Sequence, residues 1–570
     1  MTMTKVLRQS RALAVGLALV PLPAQAQTPA AAPTTSEASV RTAAPQPAEL
    51  KPRLDALLAA SYPADGPGAT MVVMRGGKIL YSGARGLADV AAKKPLTPAS
   101  VIRMGSLTKQ FTAAIVLQLV NEKKLSLDDR LDKFLPGYPA PGGAATVRQL
   151  LNHTSGIQSY TSIPGWMVAA NTGRAFTTEQ LIAEFRDKPA EFQPGARWNY
   201  DNSGYVLLGA IIERVTGQPW YRVLEARITR PLGLKTIRYG NPPAGADWAL
   251  PYSRGANGVE PAQAVDMSVP HAAGALVGSA GDMARWAQAL HHGKVVPPAL
   301  YALMTAPTKL PDGSSAPYGF GLGFGKLRGL ATIEHGGGIF GGSTDTLYSP
   351  AQDLFVAVFA NTDRPATVPG QVMRRATAIA LGNPFVELAR RPLDLAAVEP
   401  LLGVYAREGT PAEAARLYAK DGKLWFWPKG APPAELYAAG DGRLGLANGA
   451  LTWIEASSAG IRVHANGEEP DGRLMRTGPV PAEAPVVAVP RATLAGYVGK
   501  YKLAIGPTAT IAFGAGDTLT IQLDGQPAFP MEATAATRFR VSEVGAEMDL
   551  DGKTLAIHQG GRDISGARVE

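Results

Sequence analysis

Arg103-Met104-Gly105-Ser106-Leu107-Thr108-Lys109-Gln110-Phe111 opens a helical stretch in which, from Phe111 to Val120, only Thr112 and Gln118 are polar and no Pro or Gly interrupts. A helix apolar on nearly every side belongs in the middle of a domain. At its mouth Ser106 and Lys109 stand three residues apart, on one face and a turn apart. That spacing sets an amine within reach of a hydroxyl. Serine is a poor nucleophile until a neighbouring base takes its proton, and burial can lower a lysine pKa enough for it to serve. The free N–H groups of a helix N-terminus would also favour a developing oxyanion. Taken alone, the spacing reads better as an N-cap serine followed by a solvated lysine, so the rest of the chain has to decide.

The chain has 570 residues, 46% of them apolar, enough for roughly three or four domains. Lys5, Arg8 and Arg11, the apolar stretch Ala12 to Leu22, and Ala24-Gln25-Ala26 form a secretory signal peptide over residues 1–26, with cleavage expected after Ala26. The mature protein is expected to be periplasmic and soluble, with no further membrane span. There is no cysteine, hence no disulfide and no lipid-modified cysteine after the signal. The formal charge is +9, and its basic residues are scattered without runs, which argues against nucleic-acid binding. The seven histidines, at 153, 271, 291, 292, 335, 464 and 558, show no metal-ligand spacing, so no metal is expected.

Residues 27–48, rich in Ala, Pro and Thr, read as a flexible tether. Leu50 to Ala60 reads as a short amphipathic helix. Residues 69–74 and 78–82 form a hairpin around Gly76-Gly77. Residues 146–152 form a short helix ending at His153, which reads better as a brace for its loop than as a catalytic base. A second apolar helix, Val206 to Val215, is capped by Gly217. Ahead of it Tyr200 and Asn202 alternate across Asp201 and point the same way in an extended loop. A phenol beside a lysine ammonium can ionise more easily and act as a base, and an amide can hold a substrate carbonyl or amide. Ser279 and Asp282 start a helix through Leu290, a structural cap. Leu330 to His335 reads as a strand ending in Gly336-Gly337-Gly338, where glycines would let a substrate backbone approach. Leu354 to Ala360 completes the sheet.

Together, Ser106-x-x-Lys109, Tyr200-x-Asn202 and His335-x-Gly337 resemble the three motifs of the penicillin-recognising serine hydrolases: class C β-lactamases, DD-peptidases, D-aminopeptidases and related esterases. Leu150-Leu-Asn-His-Thr-Ser-Gly156 and Pro317-Tyr-Gly-Phe-Gly-Leu322 match as well, and the resemblance covers roughly residues 50–385. It implies an α/β (α+β) catalytic domain, residues 49–385, with an antiparallel sheet flanked by helices and a helical subdomain. By the same resemblance Ser106 attacks a carbonyl, Lys109 and Tyr200 relay its proton, and backbone N–H groups of Ser106 and Gly338 form the oxyanion hole. Asn202 holds the substrate amide or ester, Gly337 belongs to the binding edge, and His335 orients Tyr200 or contacts a substrate carboxylate. No cofactor is needed. Class C β-lactamases carry lysine where this chain has His335, which counts against efficient β-lactam hydrolysis; esterase-like and D-aminopeptidase-like relatives carry histidine.

After Pro384 the sequence turns to short alternating strands and Asp-Gly or Asn-Gly turns, and it repeats itself. Leu401-Leu-Gly403-Val-Tyr405 parallels Tyr497-Val-Gly499-Lys-Tyr501, and Leu424 parallels Leu519 at almost the same offset. A proline-rich linker around Pro479 to Pro490 separates the copies. Residues 393–478 and 491–570 each read as a small closed β-barrel, the second resembling lipocalin-like domains attached to such hydrolases. Gly66-Pro67-Gly68, Lys109-Gln-Phe-Thr112 and the pair of barrels also look like bacterial D-aminopeptidases. The expected substrate is a small molecule or peptide: a D-amino-acid peptide, a β-lactam or an ester. β-Lactamase, carboxylesterase and a non-hydrolytic penicillin-binding envelope protein are the alternatives, and oligomeric state stays open.

Overall fold

The computed structural model describes residues 47–163, 165–241, 247–255, 258–410, 412–429, 433–440, 442–447, 451–468, 470, 472–482, 484–503, 508–514, 518–523, 528–542, 544–559 and 562–569. The expected signal peptide, and the tether up to residue 46, lie outside them. The chain divides into two compact units. The first comprises the described residues up to Tyr160, Thr172–Gly325 and Ala331–Gly382; the second comprises Thr161–Asn171, Lys326–Leu330 and the residues from Asn383 onward.

The first unit is built on a six-stranded sheet. Its strands are β1 (Ala69–Arg75), β2 (Lys78–Arg85), β3 (Gly323–Leu327), β4 (Leu330–Ile339), β5 (Gly342–Ser349) and β6 (Leu354–Ala360), in the order β3-β4-β5-β6-β1-β2. β1 and β2 turn on Gly76 and Gly77, both at positive φ (55° and 75°), which glycine adopts without steric cost. β6 is buried along its whole length and β1 nearly so. Helices α1 (Pro47–Ser61), α8 (Ala280–His291) and α9 (Pro369–Ala380) pack on these strands, and a strand covered on both faces reads as the unbroken apolar runs found here.

The apolar runs predicted as helices are α2 (Thr108–Asn121) and α5 (Ser203–Thr216), both buried almost throughout and packed on each other. Trp286 of α8 ties α2 to the sheet: its ring stacks on Phe111 at 4.1 Å and its indole N–H donates to Gln110 at 3.1 Å. Gly217 ends α5 in the left-handed conformation. Four shorter helices complete the parts needed below: α3 (Val147–Leu151), α4 (Thr178–Ala183), α6 (Trp220–Leu224) and α7 (His271–Gly274).

Two local expectations change. Ser106 is not an N-cap: it lies in a single 3-10 turn, Gly105–Leu107, ahead of α2, whose N-cap position falls on Leu107. And β4 does not stop at His335. It runs through the glycines to Ile339, with Gly336, Gly337 and Gly338 paired to Asp345, Thr344 and Ser343. The reason is packing: a Cβ on Gly337 would lie 2.0 Å from the Met104 carbonyl oxygen, so the glycine lets the strand lie flat against the segment leading to Ser106.

In the second unit the repeat becomes two β structures. Strands from Gly403–Arg407 to Leu474–Gly478 close an eight-stranded antiparallel barrel, first strand pairing with last. Strands from Gly499–Leu503 to Arg562–Arg568 form a nine-stranded sheet that is nearly closed. Its two end strands, Ala528–Pro530 and Glu532–Ala533, are joined through Met531 alone, so the chain bends onward instead of folding back to pair. The repeated tyrosines do the same job: the Tyr405 hydroxyl donates to the Leu401 carbonyl and that of Tyr501 to the Tyr497 carbonyl. Leu424 and Leu519 are buried in the two cores.

Candidate active site

Gly105 sits at positive φ (53°), and a Cβ there would stand 2.9 Å from the Gly338 backbone nitrogen. The turn that carries Ser106 thereby packs against β4. Thr108 locks it from below: its hydroxyl donates to the Gly105 carbonyl at 2.8 Å and accepts from the Leu276 N–H at 3.1 Å. Ser106 keeps partial exposure while its neighbours are buried. A Cβ on Gly338 would meet nothing within 4 Å, so that residue borders open space. Gly337 does not, because its Cα faces Met104 and Thr344. Gly337, expected at the binding edge, therefore packs, while Gly338, expected to supply an oxyanion N–H, borders open space.

Lys109 is fully buried, and its Nζ lies 3.1 Å from Ser106 Oγ, 2.8 Å from Asn202 Oδ1 and 3.0 Å from the Ala273 carbonyl oxygen. Burial pulls its pKa down to about 7, against a smaller opposing pull from Asp201. Near that pH half the molecules carry a neutral amine with two hydrogens and one lone pair. The Asn202 amide oxygen and the Ala273 carbonyl only accept, so they take the two hydrogens and the lone pair is left for the Ser106 hydroxyl. In that neutral form Ser106 donates to Lys109, whereas in the ammonium form Nζ donates to Ser106 Oγ.

Tyr200 hydrogen-bonds to the same serine, and its ring lies 4.8 Å from Lys109 Nζ. The sequence argument has the phenol ionising more easily beside an ammonium. Here burial dominates and raises its pKa above the ordinary tyrosine value, so the phenol stays protonated. His335 meets Tyr200 only ring to ring, with centroids 6.3 Å apart and tilted by 47°, and its two ring nitrogens bond elsewhere. Its Nδ1 lies 2.6 Å from the Gly336 carbonyl oxygen, so Nδ1 carries the proton, and Nε2 accepts from the Tyr318 hydroxyl at 2.8 Å. Burial and the Lys109 charge lower its pKa to about 4, which leaves it neutral and unable to offer a cation to a carboxylate.

His153 braces its loop. Fully buried and at φ 61°, it accepts the Asp201 N–H on Nδ1 at 3.2 Å and the Asn199 N–H on its carbonyl at 3.0 Å. Its ring packs on Tyr200 (4.3 Å) and Tyr318 (4.7 Å). Asp201, unremarked in the motif, starts α5 by accepting the Gly204 N–H, and it accepts the Ser155 hydroxyl at 3.3 Å. Burial raises its carboxyl to about 7. Sequence reasoning missed Asp201, Tyr318 and the Ala273 carbonyl. An Asp three residues before a helical Gly is a capping signal, and Tyr318 sits inside a matched glycine-rich word; nothing local marks Ala273.

A family model described as Beta-lactamase matches residues 56–380. Over 402 residues the chain is 27% identical to penicillin-binding protein 4* of Bacillus subtilis (strain 168), covering 66% of this chain and 87% of that protein. Over 332 residues it is 30% identical to a D-aminopeptidase of Gluconobacter oxydans (strain 621H), covering 58% of this chain and 61% of that protein. The octameric penicillin-binding protein homologue from Pyrococcus abyssi shares the fold over 84% of this chain and 99% of its own, with a TM-score of 0.53 and 22% identity. Among the described residues no helix is long and apolar enough to cross a membrane.

Proposed function

Because the chain belongs to the beta-lactamase family, we propose that this serine hydrolase cleaves amide bonds of D-amino-acid substrates, in the manner of a D-aminopeptidase or amidase, through an acyl-serine intermediate. The carrying observation is Lys109 Nζ, dry and held by two acceptors so that its lone pair meets Ser106 Oγ at 3.1 Å. Lys109 takes the serine proton as Ser106 attacks the carbonyl carbon, and the C–N bond then breaks. Tyr200, protonated and bonded to the serine, passes a proton to the departing nitrogen, and Lys109 returns one to Tyr200. Backbone N–H groups of Ser106 and Gly338 receive the oxyanion. Asn202, already anchored by Lys109, holds the substrate amide. Water then releases the acyl group by the reverse path.

The neutral His335 supports an amide or aminopeptidase substrate over one recognised by a free carboxylate, as in β-lactams and C-terminal peptides. The 30% identity to a D-aminopeptidase supports the same choice. The residue 1–26 pattern supports export to the periplasm, which the intact mass of the secreted form tests, with a mature N-terminus expected at Gln27. We take residues 49–385 as the hydrolase domain, with 393–478 and 491–570 as its appended β modules. The deciding experiment compares D-alanine and L-alanine p-nitroanilide on the mature protein and on Ser106→Ala. Turnover of the D form alone, lost in the variant, is expected. Turnover of neither anilide, with rapid hydrolysis of short nitrophenyl esters, would replace this reading with an esterase. Rapid hydrolysis of nitrocefin would replace it with a β-lactamase, and a persistent β-lactam adduct with no turnover of any substrate would leave a penicillin-binding protein.

A further inference from the structure

A cavity of about 930 Å³ lies along the C-terminal half of α5, and its lining includes none of Ser106, Lys109, Tyr200 or Asn202. That volume is typical of small-molecule sites. One wall is aromatic. Tyr221 and Tyr239 stack at 4.4 Å and 10°, and Trp220 meets both edge-on, at 6.2 and 5.7 Å.

Against these rings stands Glu213. Its carboxylate accepts the Thr178 hydroxyl at 2.8 Å and the Trp220 N–H at 3.1 Å, two of roughly four acceptor positions. No ion pair satisfies it among the described residues. Burial, with Glu179 nearby, raises its pKa, as befits a half-buried carboxylate short of a counter-ion. Other groups facing the cavity do not compete for it. The Thr178 hydroxyl gives its hydrogen to Glu213, so at 3.1 Å His271 Nε2 must donate to Thr178; burial keeps that imidazole neutral, at about 3. Tyr239 is raised to about 12 and is likewise neutral. Arg186 is turned to the Gly137 carbonyl at 3.1 Å and to Asp187 at 3.4 Å, and Arg214 is exposed. His271 itself is held at φ 42°, a strained position for a non-glycine residue of the kind that collects at functional sites.

We propose that this cavity is a second ligand site, separate from the catalytic serine, for an organic ammonium group carried on an apolar or aromatic body. The ammonium sits against Glu213, and the body against the Trp220, Tyr221 and Tyr239 rings, where the negative faces of aromatic rings add to the attraction. The inference does not rest on the substrate proposed above.

Calorimetric titration of the mature protein near pH 8 with benzylamine, benzyl alcohol and phenylacetate tests it; at that pH the amine is protonated and Glu213 ionised. One-to-one binding of benzylamine is expected, about tenfold tighter than benzyl alcohol, with phenylacetate weakest. Glu213→Gln, which keeps acceptors for Thr178 and Trp220, should bring benzylamine down to the benzyl alcohol level. Phenylacetate or benzyl alcohol binding as tightly as benzylamine overturns the proposal, as does unchanged benzylamine binding by Glu213→Gln or none by the unaltered protein. Should that variant fail to fold, the ligand series on the unaltered protein decides alone.

Discussion

The two ends of α5 hold the same kind of group in opposite surroundings. At the N-terminal end Asp201 is buried, bonded to Gly204 and Ser155, and close enough to Lys109 to act on its charge. At the C-terminal end Glu213 has a hydroxyl and an amide for partners, no cation among the described residues, and about 930 Å³ of space before it. One end has closed its polar groups onto one another, and burial there pulls a lysine pKa down to about 7 against the opposing pull of Asp201. The other has left a charge waiting. Burial does different work according to whether the space beside the buried group is filled.

The largest effect expected is from Ser106→Ala, which should lower kcat by at least about 10³-fold and abolish acylation in intact-mass measurements, while benzylamine titration at the far end of α5 stays unchanged. A shift in that titration would mean that the two ends are one site. Next, Lys109→Met should cost about 10²–10⁴ in kcat. In the unaltered protein kcat/KM should fall as pH drops through about 7, because the amine that takes the serine proton becomes an ammonium. Stability carries the same signature. The lysine pKa is lower folded than unfolded, so between about 7 and 10.5 the unfolded chain binds the extra proton and stability rises with pH. Lys109→Met should flatten that rise in denaturation measured across the window.

The contrast between filled and open space recurs within β4. Gly337→Ala sets a methyl 2.0 Å from the Met104 carbonyl and should cost more than about 2 kcal/mol in thermal unfolding. Gly338→Ala meets nothing within 4 Å and should leave the melting temperature nearly unchanged, its effect confined to substrate binding. Equal destabilisation by both would remove the distinction between packing glycine and cleft glycine. Smallest is Tyr318→Phe, which takes from His335 its hydrogen-bond donor and should cost about 1 kcal/mol of stability.

Much of this was legible in the chain. α2 and α5 were readable because helices buried on every side must be apolar on every side, and β1 and β6 because strands between helical layers read as unbroken apolar runs. Short alternating strands, glycine turns and the repeat around Tyr405 and Tyr501 predicted two β structures, and in each the tyrosine hydroxyl donates to the carbonyl four residues earlier. The three motifs pointed to Ser106, Lys109, Tyr200 and Asn202, since that chemistry tolerates few other residue types at such spacings.

What spacing does not contain is which groups burial leaves charged. The sequence reading had Tyr200 ionising easily beside an ammonium, and the resemblance had His335 orienting Tyr200 or contacting a substrate carboxylate. Folding set Tyr318 against His335 and kept the phenol protonated, while the lowered pKa fell on Lys109, as burial of that lysine predicts. The Ala273 carbonyl, 164 positions from Lys109, and the cavity walled by α6 and Tyr239 likewise have no local signal. Periodicity records which side of an element meets the core, a property of neighbours in the chain. Desolvation and the direction of a lone pair depend on atoms brought together from distant segments, and only the packed tertiary structure supplies those.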